Sequence, residues 1–431
     1  MSLLDVLAER WQGKTYPFLI EQGGALLMHE VLGQKCSHLD AIQPGDVVAL
    51  IGDFNARSIS DLLTLIDRRA VLVPLTKQTR NDHEYFFESS FVNWVVEDGS
   101  VSRRVHDDSH RLLIELRETN HAGLVLFSTG TTGRPKAILH DMSFFLRRFG
   151  TPRPTLRTLG FLLFDHIGGL NTLLHTIFNA GVVVAPIDRS ISSVLATCAK
   201  YDVEALPTTP TFLRMMLMSG MVPDKVPECL RIITYGTERM DQSTLDQLCE
   251  LLPTVDFRQT FGMSELGIVR VKSENRSSLF MKIGGEGVKM RISDGVLEIY
   301  SPSRMMGYLN APSPFDPEGW YNTGDVVEQK AEFIKVVGRT TEVINVGGLK
   351  FMASEVERVA LEYPGVEFAT VLPRINPVTG QHVEMTVQIR AGCGVTHEVL
   401  VAFLTERLPA HMIPRRVRLA PVSIGHRFKK V

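Results

Sequence analysis

The sequence predicts an α/β protein with more than one domain, because of its hydrophobic pattern and its length. Short apolar runs rich in valine and leucine recur at residues 47–51, 71–75, 124–127 and 182–185. Longer segments of mixed polarity, which suit helices, separate these runs. Continuous apolar strands that alternate with helices are typical of a parallel sheet buried on both faces. A chain of 431 residues also exceeds what one hydrophobic core usually serves.

The pattern changes to alternating strands about two-thirds of the way along the chain. Residues 296–300 resemble a half-buried strand, and residues 333–337 form another predicted strand. We place the main domain boundary close to Arg339. It separates a large N-terminal domain of layered α/β subdomains, residues 1–338, from a small α+β domain, residues 339–431.

The small domain has two predicted helices and a predicted strand. Ser354 and Glu357 have the spacing of a capping box, and Pro364-Gly365 would end the helix that follows it. The apolar residues of this helix are Val356, Val359, Ala360 and Tyr363. The strand alternates through Val383, Met385, Val387 and Ile389. The second helix has an apolar face formed by Val399, Leu400, Phe403 and Leu404.

The charge balance excludes two classes of partner. The chain has 46 basic and 48 acidic residues, a net charge of −2, so no global field attracts nucleic acid or an acidic membrane. No apolar run approaches the roughly eighteen residues needed to span a bilayer. The N-terminus mixes charges among its apolar residues and lacks the core of a signal peptide. We therefore expect a cytoplasmic protein with no membrane span, in which any polyanion binds locally.

The cysteines point to the same compartment. Five are present, an odd number, and none has CxxC spacing. This argues against a disulfide framework or a zinc site and fits a reducing cytosol. We expect all five to be small buried hydrophobic residues.

Residues 126–136, LFSTGTTGRPK, have the composition of a polyphosphate-binding loop. Gly130 and Gly133 can adopt positive φ, which lets backbone N–H groups converge on an anion, and Lys136 adds a positive charge. The hydroxyl donors are Ser128, Thr129, Thr131 and Thr132. The segment is not a Walker A loop, because two residues rather than four separate its glycines and Pro135 precedes the lysine.

Five segments in order resemble the motifs of the acyl-adenylate-forming superfamily, which includes acyl-CoA synthetases, aryl-acid ligases, peptide-synthetase adenylation domains and luciferases. After the phosphate loop come residues 235–238 (YGTE), 261–265 (FGMSE), 319–325 (GWYNTGD) and 338–348 (GRTTEVINVGG). The resemblance covers essentially the whole chain. About 127 residues precede the phosphate loop, which is short for this family. We therefore expect a trimmed first subdomain and a more open pocket wall.

The resemblance implies an AMP-forming acid–thiol ligase. In this family a carboxylate attacks the α-phosphate of ATP, and the acyl-adenylate then passes its acyl group to coenzyme A or to the phosphopantetheine of a carrier protein. An anion attacking a polyanion needs charge neutralisation, which the loop and Mg²⁺ would provide. Glu265 and Thr131 would hold Mg²⁺, and Glu265 is also a predicted catalytic residue. The ATP-binding residues would be Ser128, Thr129, Gly130, Thr131, Thr132, Gly133, Lys136, Gly236, Thr237, Glu238, Phe261, Gly262, Met263, Ser264, Asp325 and Arg339.

Individual roles follow from the matched motifs. Phe261 would stack on the adenine, and residues 236–238 would border it. Asp325 would accept hydrogen bonds from both ribose hydroxyls, since one carboxylate can serve two donors. Arg339 would add a donor to the ribose.

Residues 164–170, FDHIGGL, resemble the start of the acyl-pocket helix. If His166 is the pocket gate, the apolar Ile167 lies where amino-acid-activating relatives keep an aspartate, and the substrate is a plain carboxylic acid. If Asp165 is that aspartate, it binds an amino group. We favour the plain acid, because the glycines after His166 match the acyl type. The predicted acyl-pocket residues are Asp165, His166, Ile167, Tyr235 and Gly236, and His166 is also counted as catalytic.

The chain departs from the family at its C-terminal end. His426 occupies the position of a lysine that contacts both the carboxylate and the α-phosphate during adenylation. A neutral imidazole is a weaker electrostatic partner, so either a protonated His426 or Lys429 or Lys430 would have to serve as the catalytic cation. A degenerate nucleotide- or acyl-binding protein with impaired adenylation is therefore an alternative. An amino-acid-activating domain that loads a carrier protein in trans is another.

The resemblance also implies movement of the small domain, which rotates between half-reactions about a swivel near Arg339. Thr341 replaces the usual hinge residue, but a hinge needs only to absorb φ/ψ change. Gly347 and Gly348 would line the thiol tunnel after rotation. The sequence shows no carrier segment with a modifiable serine, so the acceptor would come in trans, as coenzyme A or an acyl or peptidyl carrier protein.

Overall fold

The computed structural model describes residues 3–33, 36–105, 110–128, 133–147, 149–422 and 424–425. In these residues the α-helices are α1 (Leu3–Trp11), α2 (Met28–Leu32), α3 (Ala56–Asp67), α4 (His83–Ser90), α5 (Arg111–Thr119), α6 (Met142–Arg147), α7 (Ile167–Phe178), α8 (Ile191–Lys200), α9 (Pro210–Met218), α10 (Gln242–Leu251), α11 (Ala353–Leu361) and α12 (His397–Thr405). The strands up to residue 259 are β1 (Leu19–Glu21), β2 (Gly24–Leu26), β3 (Val47–Ile51), β4 (Val71–Leu75), β5 (Trp94–Glu97), β6 (Ser100–Arg103), β7 (Gly123–Phe127), β8 (Ala137–Asp141), β9 (Arg157–Leu159), β10 (Val182–Val184), β11 (Ala205–Thr208), β12 (Ile232–Tyr235) and β13 (Asp256–Gln259). The later strands are β14 (Gly262–Met263), β15 (Gly267–Ile268), β16 (Arg270–Ser273), β17 (Met281–Gly284), β18 (Lys289–Ser293), β19 (Val296–Tyr300), β20 (Gly307–Tyr308), β21 (Tyr321–Lys330), β22 (Phe333–Arg339), β23 (Val343–Val346), β24 (Leu349–Met352), β25 (Val366–Asn376), β26 (Gly380–Ile389) and β27 (Arg416–Leu419).

Two seven-stranded sheets with mainly parallel inner strands form the first part of the chain. The first has the order β20-β8-β7-β4-β3-β5-β6, and the second has the order β13-β12-β11-β9-β10-β1-β2. Successive residues of β3 point into different cores: Val48 and Leu50 face the core shared with α7, while Val47 and Ala49 face α4 and α5. Both faces of the sheet are thus buried in hydrophobic cores, which explains the uninterrupted apolar runs. The predicted α/β class is confirmed.

Antiparallel pairing then replaces the parallel layers, as predicted. A six-stranded sheet has the order β16-β17-β22-β21-β19-β18, and its buried residues include Leu297 and Ile299 of β19. The last sheet has the order β24-β23-β26-β25, with β27 beside β26. Helices α11 and α12 pack on it around a separate core that includes Val356 and Leu400. Because β22 runs to Arg339 inside the six-stranded sheet, the proposed boundary lies at the end of a strand.

The predicted capping box is wrong. Helix α11 begins at Ala353, one residue after β24 ends, so Ser354 lies inside the helix. The N–H of Met352 donates to Glu355 Oε1 over 2.9 Å, which places the capping glutamate two positions earlier than predicted. The Ser354 hydroxyl instead donates to the carbonyl of Val337 in β22, over 2.7 Å. Glu357 accepts a hydrogen bond from the N–H of Val371 over 3.0 Å.

The expected burial of the cysteines holds only in part. Cys36 and Cys198 are buried, and burial raises the pKa of the Cys198 thiol to about 12. Cys229 and Cys249 are half-buried, and Cys393 is exposed. The expectation is therefore wrong for Cys393, which is exposed in the loop between β26 and α12.

Two arginines of the large region hold the C-terminal region in place. Arg214 of α9 donates to the backbone carbonyl of Glu367 in β25, and it pairs with Asp241 over 3.1 Å. Arg239 pairs with Glu357 of α11 over 3.2 Å. In the described part of the chain, no helix is long and apolar enough to cross a membrane.

Candidate active site

The stem of the phosphate loop closes directly after β7. The N–H of Ser128 donates to the carbonyl of Lys136 over 3.1 Å, and the N–H of Lys136 donates to the Ser128 hydroxyl over 3.0 Å. Gly133 is exposed, with open space where a Cβ would lie. The predicted ligands Thr129, Gly130, Thr131 and Thr132 lie outside the described residues. The stem thus presents Lys136 at the carboxyl end of a parallel strand, where open α/β sheets bind ligands.

Ser264 and Glu265 lie in the turn of a short hairpin. Strands β14 and β15 pair with Gly262 opposite Ile268, which leaves residues 264–266 as the connection. The N–H of Met305 donates to the Glu265 carbonyl over 2.8 Å. Glu265 is only 9% exposed. The backbone of the turn is therefore anchored while the carboxylate points into the structure.

A tyrosine holds that carboxylate. The hydroxyl of Tyr308 donates to Glu265 Oε1 over 2.9 Å, and Lys136 Nζ lies 4.8 Å from the centroid of the Tyr308 ring. Burial and the nearby Glu265 carboxylate raise the pKa of Tyr308 above its ordinary value. Tyr308 therefore keeps its proton and donates a hydrogen bond to the carboxylate. The predicted residues Lys136 and Glu265 are brought together by a residue that was not predicted.

A second unpredicted residue, His140 of β8, anchors the same turn. Its Nε2 lies 2.6 Å from the carbonyl oxygen of Ser264. Burial lowers the pKa of His140 to about 4, although the Ser264 carbonyl opposes the shift. The imidazole is therefore neutral at pH 7, and its Nε2–H donates to the carbonyl.

Asp325 and Arg339 meet across adjacent strands. They are register partners in β21 and β22, and Arg339 Nε lies 3.2 Å from Asp325 Oδ1. Asp325 is 6% exposed. Burial raises the pKa of this carboxyl group, and Arg339 opposes the rise. The two predicted ribose contacts are thus neighbours.

Tyr321 lies next to both the Tyr308–Glu265 pair and the Asp325–Arg339 pair. Its hydroxyl is hydrogen-bonded to that of Tyr308, and its pKa is raised by burial and then by the charge of Glu265. Asp325 and Arg339 also influence this pKa, so Tyr321 lies near both carboxylates. Tyr321 belongs to the motif at residues 319–325, and that was the only signal in the sequence for it.

Residues 236–238 follow β12 in a tight turn. A Cβ on Gly236 would lie 2.6 Å from the Thr260 carbonyl oxygen, so only glycine fits. Thr237 has φ of +72°, a conformation that is rare for a β-branched residue and marks local strain. Glu238 Oε1 accepts the N–H of Thr211 at the start of α9, over 2.7 Å.

The aromatic residues on either side of this turn pack differently. Tyr235 is 1% exposed and belongs to the core of the second sheet, so its role in the acyl pocket stays a prediction. Phe261 and Met263 are half-buried against the core of the six-stranded sheet. Phe261 thus keeps part of its ring accessible for stacking.

The predicted acyl-pocket helix is α7. His166 is its N-cap residue, and Nδ1 accepts the N–H of Gly168 over 3.0 Å. Asp165 and Ile167 are each 4% exposed. Phe164 packs edge-to-face on Phe54, which follows the carboxyl end of β3. The helix therefore starts at the edge of the sheets where the phosphate stem also lies.

One predicted element, the glycine pair of the thiol tunnel, is not part of this cluster. Gly347 and Gly348 form the exposed turn between β23 and β24, with φ of +61° and +91°, and open space surrounds the position of a Cβ on either. The predicted catalytic residues His426 and Lys429, together with Lys430, lie outside the described residues. The roles of all these residues stay predictions.

Comparisons with known proteins identify the family. The model of the AMP-binding enzyme family matches residues 37–295. A 4-coumarate–CoA ligase of Oryza sativa is 26% identical over 318 residues, which cover 65% of this chain and 56% of the relative. A medium/long-chain-fatty-acid acyl-carrier-protein ligase of Mycobacterium tuberculosis is 27% identical over 285 residues, covering 57% of this chain and 52% of that protein. The chain thus spans a little over half the length of these curated relatives.

The fold agrees with that of a solved structure. ATP-bound MatB of Rhodopseudomonas palustris superimposes with a TM-score of 0.83 at 17% identity, covering 99% of this chain and 97% of that one. This likeness concerns the fold alone. Taken with the family match over more than half of its residues, it shows that the chain belongs to the AMP-binding enzyme family, within the acyl-adenylate-forming superfamily.

Proposed function

We propose that this protein adenylates a carboxylic acid with ATP and then transfers the acyl group to a thiol. The observation that carries the proposal is the placement of two buried carboxylates, Glu265 and Asp325, near Tyr321, with Lys136 on the ring of the tyrosine that binds Glu265. This arrangement offers separate sites for a metal–phosphate group and for a sugar. Nucleotide-dependent chemistry needs both.

In the first step, a carboxylate oxygen forms a bond to the α-phosphorus of ATP, and the bond from that phosphorus to the bridging oxygen breaks. Pyrophosphate leaves with the electron pair. Lys136 and the phosphate loop bind and orient the departing phosphates, and Asp325 and Arg339 hold the ribose. His140 fixes the turn that carries Ser264 and Glu265. No base is needed, because the attacking group is already an anion.

Mg²⁺ fits the donor set. Among the residues that the structure describes, no three His, Cys, Asp or Glu side chains form a metal cluster. Mg²⁺ commonly binds through one or two carboxylates together with substrate phosphates, so the single Glu265 suffices on the protein side. When bound, the ion would neutralise charge on the phosphates. Glu265, with Thr131 of the loop, would hold it.

In the second step, a thiol sulfur attacks the acyl carbon, the mixed anhydride bond breaks, and AMP leaves while the thiol proton passes to solvent. Rotation of the small region would bring the exposed turn between β23 and β24, with Gly347 and Gly348, to the site for this step. The plant relative uses coenzyme A and the mycobacterial one a carrier protein, by their names. Both acceptors are proposed here.

The substrate is proposed to be a plain carboxylic acid, because the apolar Ile167 follows His166 at the start of α7. An amino acid is the alternative, and the buried carboxyl group of Asp165 supports it. Acid-dependent ATP–pyrophosphate exchange against fatty, aryl and amino acids separates the two. Exchange with amino acids alone would contradict the plain-acid assignment.

The same assay on His426→Ala and Lys429→Ala tests the catalytic cation. Loss of exchange in one variant only would assign the role of the missing lysine to that residue. ATP binding without exchange for any acid in the wild type would favour the degenerate binding protein. Product analysis with coenzyme A and with a phosphopantetheinylated carrier protein then identifies the acceptor.

A further inference from the structure

Tyr308 is held rigidly beside the phosphate loop. It lies in β20, which pairs with β8 so that Tyr308 is opposite Ile138. The N–H of Leu309 donates to the Ala137 carbonyl over 2.9 Å, one residue after Lys136. Asn310 Oδ1 accepts the N–H of Ala137 over 2.8 Å. Four successive residues of the chain are thus fixed against the exit of the loop.

The hydroxyl of Tyr308 has one proton and two neighbours. It donates to Glu265 Oε1, so it cannot also donate to Tyr321. The Tyr321 hydroxyl must then donate to the oxygen of Tyr308. The resulting chain runs from Tyr321 through Tyr308 to Glu265, and its direction points every proton toward the carboxylate.

Within the part of the chain that the structure describes, the charge on Glu265 has no cationic partner. In residues 3–425 as described, no lysine, arginine or histidine forms an ion pair with Glu265, although Lys136 lies on the face of the neighbouring tyrosine. A guanidinium or ammonium at this position would cancel the charge that a metal ion needs. A neutral hydroxyl fixes one carboxylate oxygen and leaves the negative charge for a ligand.

We propose that Tyr308 is a positioning residue that orients the Glu265 carboxylate for Mg²⁺ while its ring holds the Lys136 ammonium in place for the phosphates. The inference rests on the proposed function, since it concerns the same nucleotide site. The two parts of the Tyr308 side chain thus have separate roles. The hydroxyl orients the carboxylate that binds the metal, and the ring face positions the lysine.

The test is equilibrium binding of a non-hydrolysable ATP analogue, measured by calorimetry at a series of Mg²⁺ concentrations. Tyr308→Phe keeps the ring and removes the hydroxyl. We expect the Mg²⁺ concentration at half-maximal enhancement of binding to rise about 10-fold to 100-fold, the usual cost of losing a group that orients a metal ligand. Binding of the analogue without Mg²⁺ should change less than about twofold, since the ring and Lys136 keep their contact.

Tyr85→Phe is the matched control. Its hydroxyl donates to the Pro135 carbonyl over 2.8 Å, so it also supports the phosphate loop but makes no contact with Glu265. The control should keep the wild-type dependence on Mg²⁺. An equal shift in both variants would mean that the hydroxyls only stabilise the loop, and would overturn the proposal.

Tyr321→Phe covers the case in which Tyr308→Phe fails to fold. It removes the donor to Tyr308 and should shift the Mg²⁺ dependence in the same direction by a smaller factor. A wild-type affinity that is independent of Mg²⁺, or an unchanged dependence in the tyrosine variants, would overturn the inference. Binding that follows the expected pattern without any pyrophosphate exchange would support the role of Tyr308 and contradict only the proposed reaction.

Discussion

The two buried carboxylates of the candidate site are stabilised by different chemistry. Glu265 is 9% exposed and accepts a hydrogen bond from a neutral tyrosine, whereas Asp325 is 6% exposed and pairs with the guanidinium of Arg339. A carboxylate that must bind a cation is better oriented by a neutral donor. A carboxylate that must accept hydrogen bonds from neutral hydroxyls can be paired with a cation without losing its purpose.

The pair at Asp325 also differs in its surroundings. The Arg339 side chain is 49% exposed and lies at the end of β22, immediately before the turn Thr340–Glu342 that leads to the C-terminal sheet. Among the described residues, the hydrogen-bond partners of Glu265 belong to the large region and provide no such link. Movement of the C-terminal region would therefore disturb the Asp325–Arg339 pair before it disturbs Glu265.

The largest expected effect is that of Glu265→Gln. The amide can still accept from Tyr308 but carries no charge, so pyrophosphate exchange should fall at least about 100-fold. Binding of the nucleotide without Mg²⁺ should stay near the wild-type value. Exposed Glu286 provides the control, Glu286→Gln. Full exchange activity in the Glu265 variant would show that the metal binds elsewhere.

Protonation of His140, which anchors the turn carrying Glu265, should also reduce the stability of the folded protein at low pH. The pKa of His140 is lowered to about 4, so between pH 6.5 and pH 4 the unfolded chain binds a proton at this position that the folded chain does not. This contribution to stability is complete above pH 6.5 and is lost as the pH falls, by up to about 3 kcal/mol. His140→Gln keeps an N–H donor and removes the titration. Urea unfolding at several pH values should show a weaker pH dependence in this variant than in the exposed control His397→Gln.

The pKa shift of Asp325 is opposite in sign to that of His140, and so is its effect on stability. Its pKa is raised, so the folded state binds the extra proton, and stability falls as the pH rises above 3.8. Asp325→Asn should remove this trend in the same unfolding experiment. An unchanged pH dependence in this variant and in His140→Gln would contradict the burial-based account of both groups.

For nucleotide binding, Asp325→Asn is expected to cost about 10-fold to 100-fold, with or without Mg²⁺, because hydrogen bonds to a charged acceptor are lost. A 2′,3′-dideoxy analogue tests the assignment. The wild type should bind it as weakly as the variant binds ATP, and the variant should not discriminate. Strong discrimination by the variant would assign the ribose to another residue. Asp294→Asn, at an exposed turn, is the control.

The smallest effect belongs to Arg339→Gln. The Arg339 side chain is 49% exposed, so solvent screens its charge, and nucleotide affinity should fall only about threefold to fivefold, and less at high salt. A loss as large as that of Asp325→Asn would mean that the donor from Arg339 contributes as much to ribose binding as the acceptor at Asp325. Calorimetry at two salt concentrations distinguishes these cases.

Local patterns in the sequence were sufficient for the class and order of the layers. The runs at β3, β4 and β7 are apolar at every position because both faces of the sheet are buried, and that requirement appears in the sequence without knowledge of the partners. Asp325 and Arg339 were predicted as ribose contacts because each lies within a contiguous motif.

The predictions failed where the position of a neighbouring element, or a contact between residues far apart in the sequence, decides the local structure. Ser354 and Glu357 have capping-box spacing, but β24 ends so close to the helix that Met352 becomes the cap residue. His140 and Tyr308 were missed because their partners lie 124 and 43 residues away, and no local spacing marks such contacts.

The sequence by itself determined which segments are buried strands and which carry the glycines, hydroxyls and carboxylates of a nucleotide site. These properties depend on local backbone geometry and on the burial of each element. Only the tertiary structure decided that Glu265 has a tyrosine and Asp325 an arginine as its partner. The pairings of β20 with β8 and of β21 with β22 create these contacts, and a buried charge responds to whatever group packing places within about 3 Å of it.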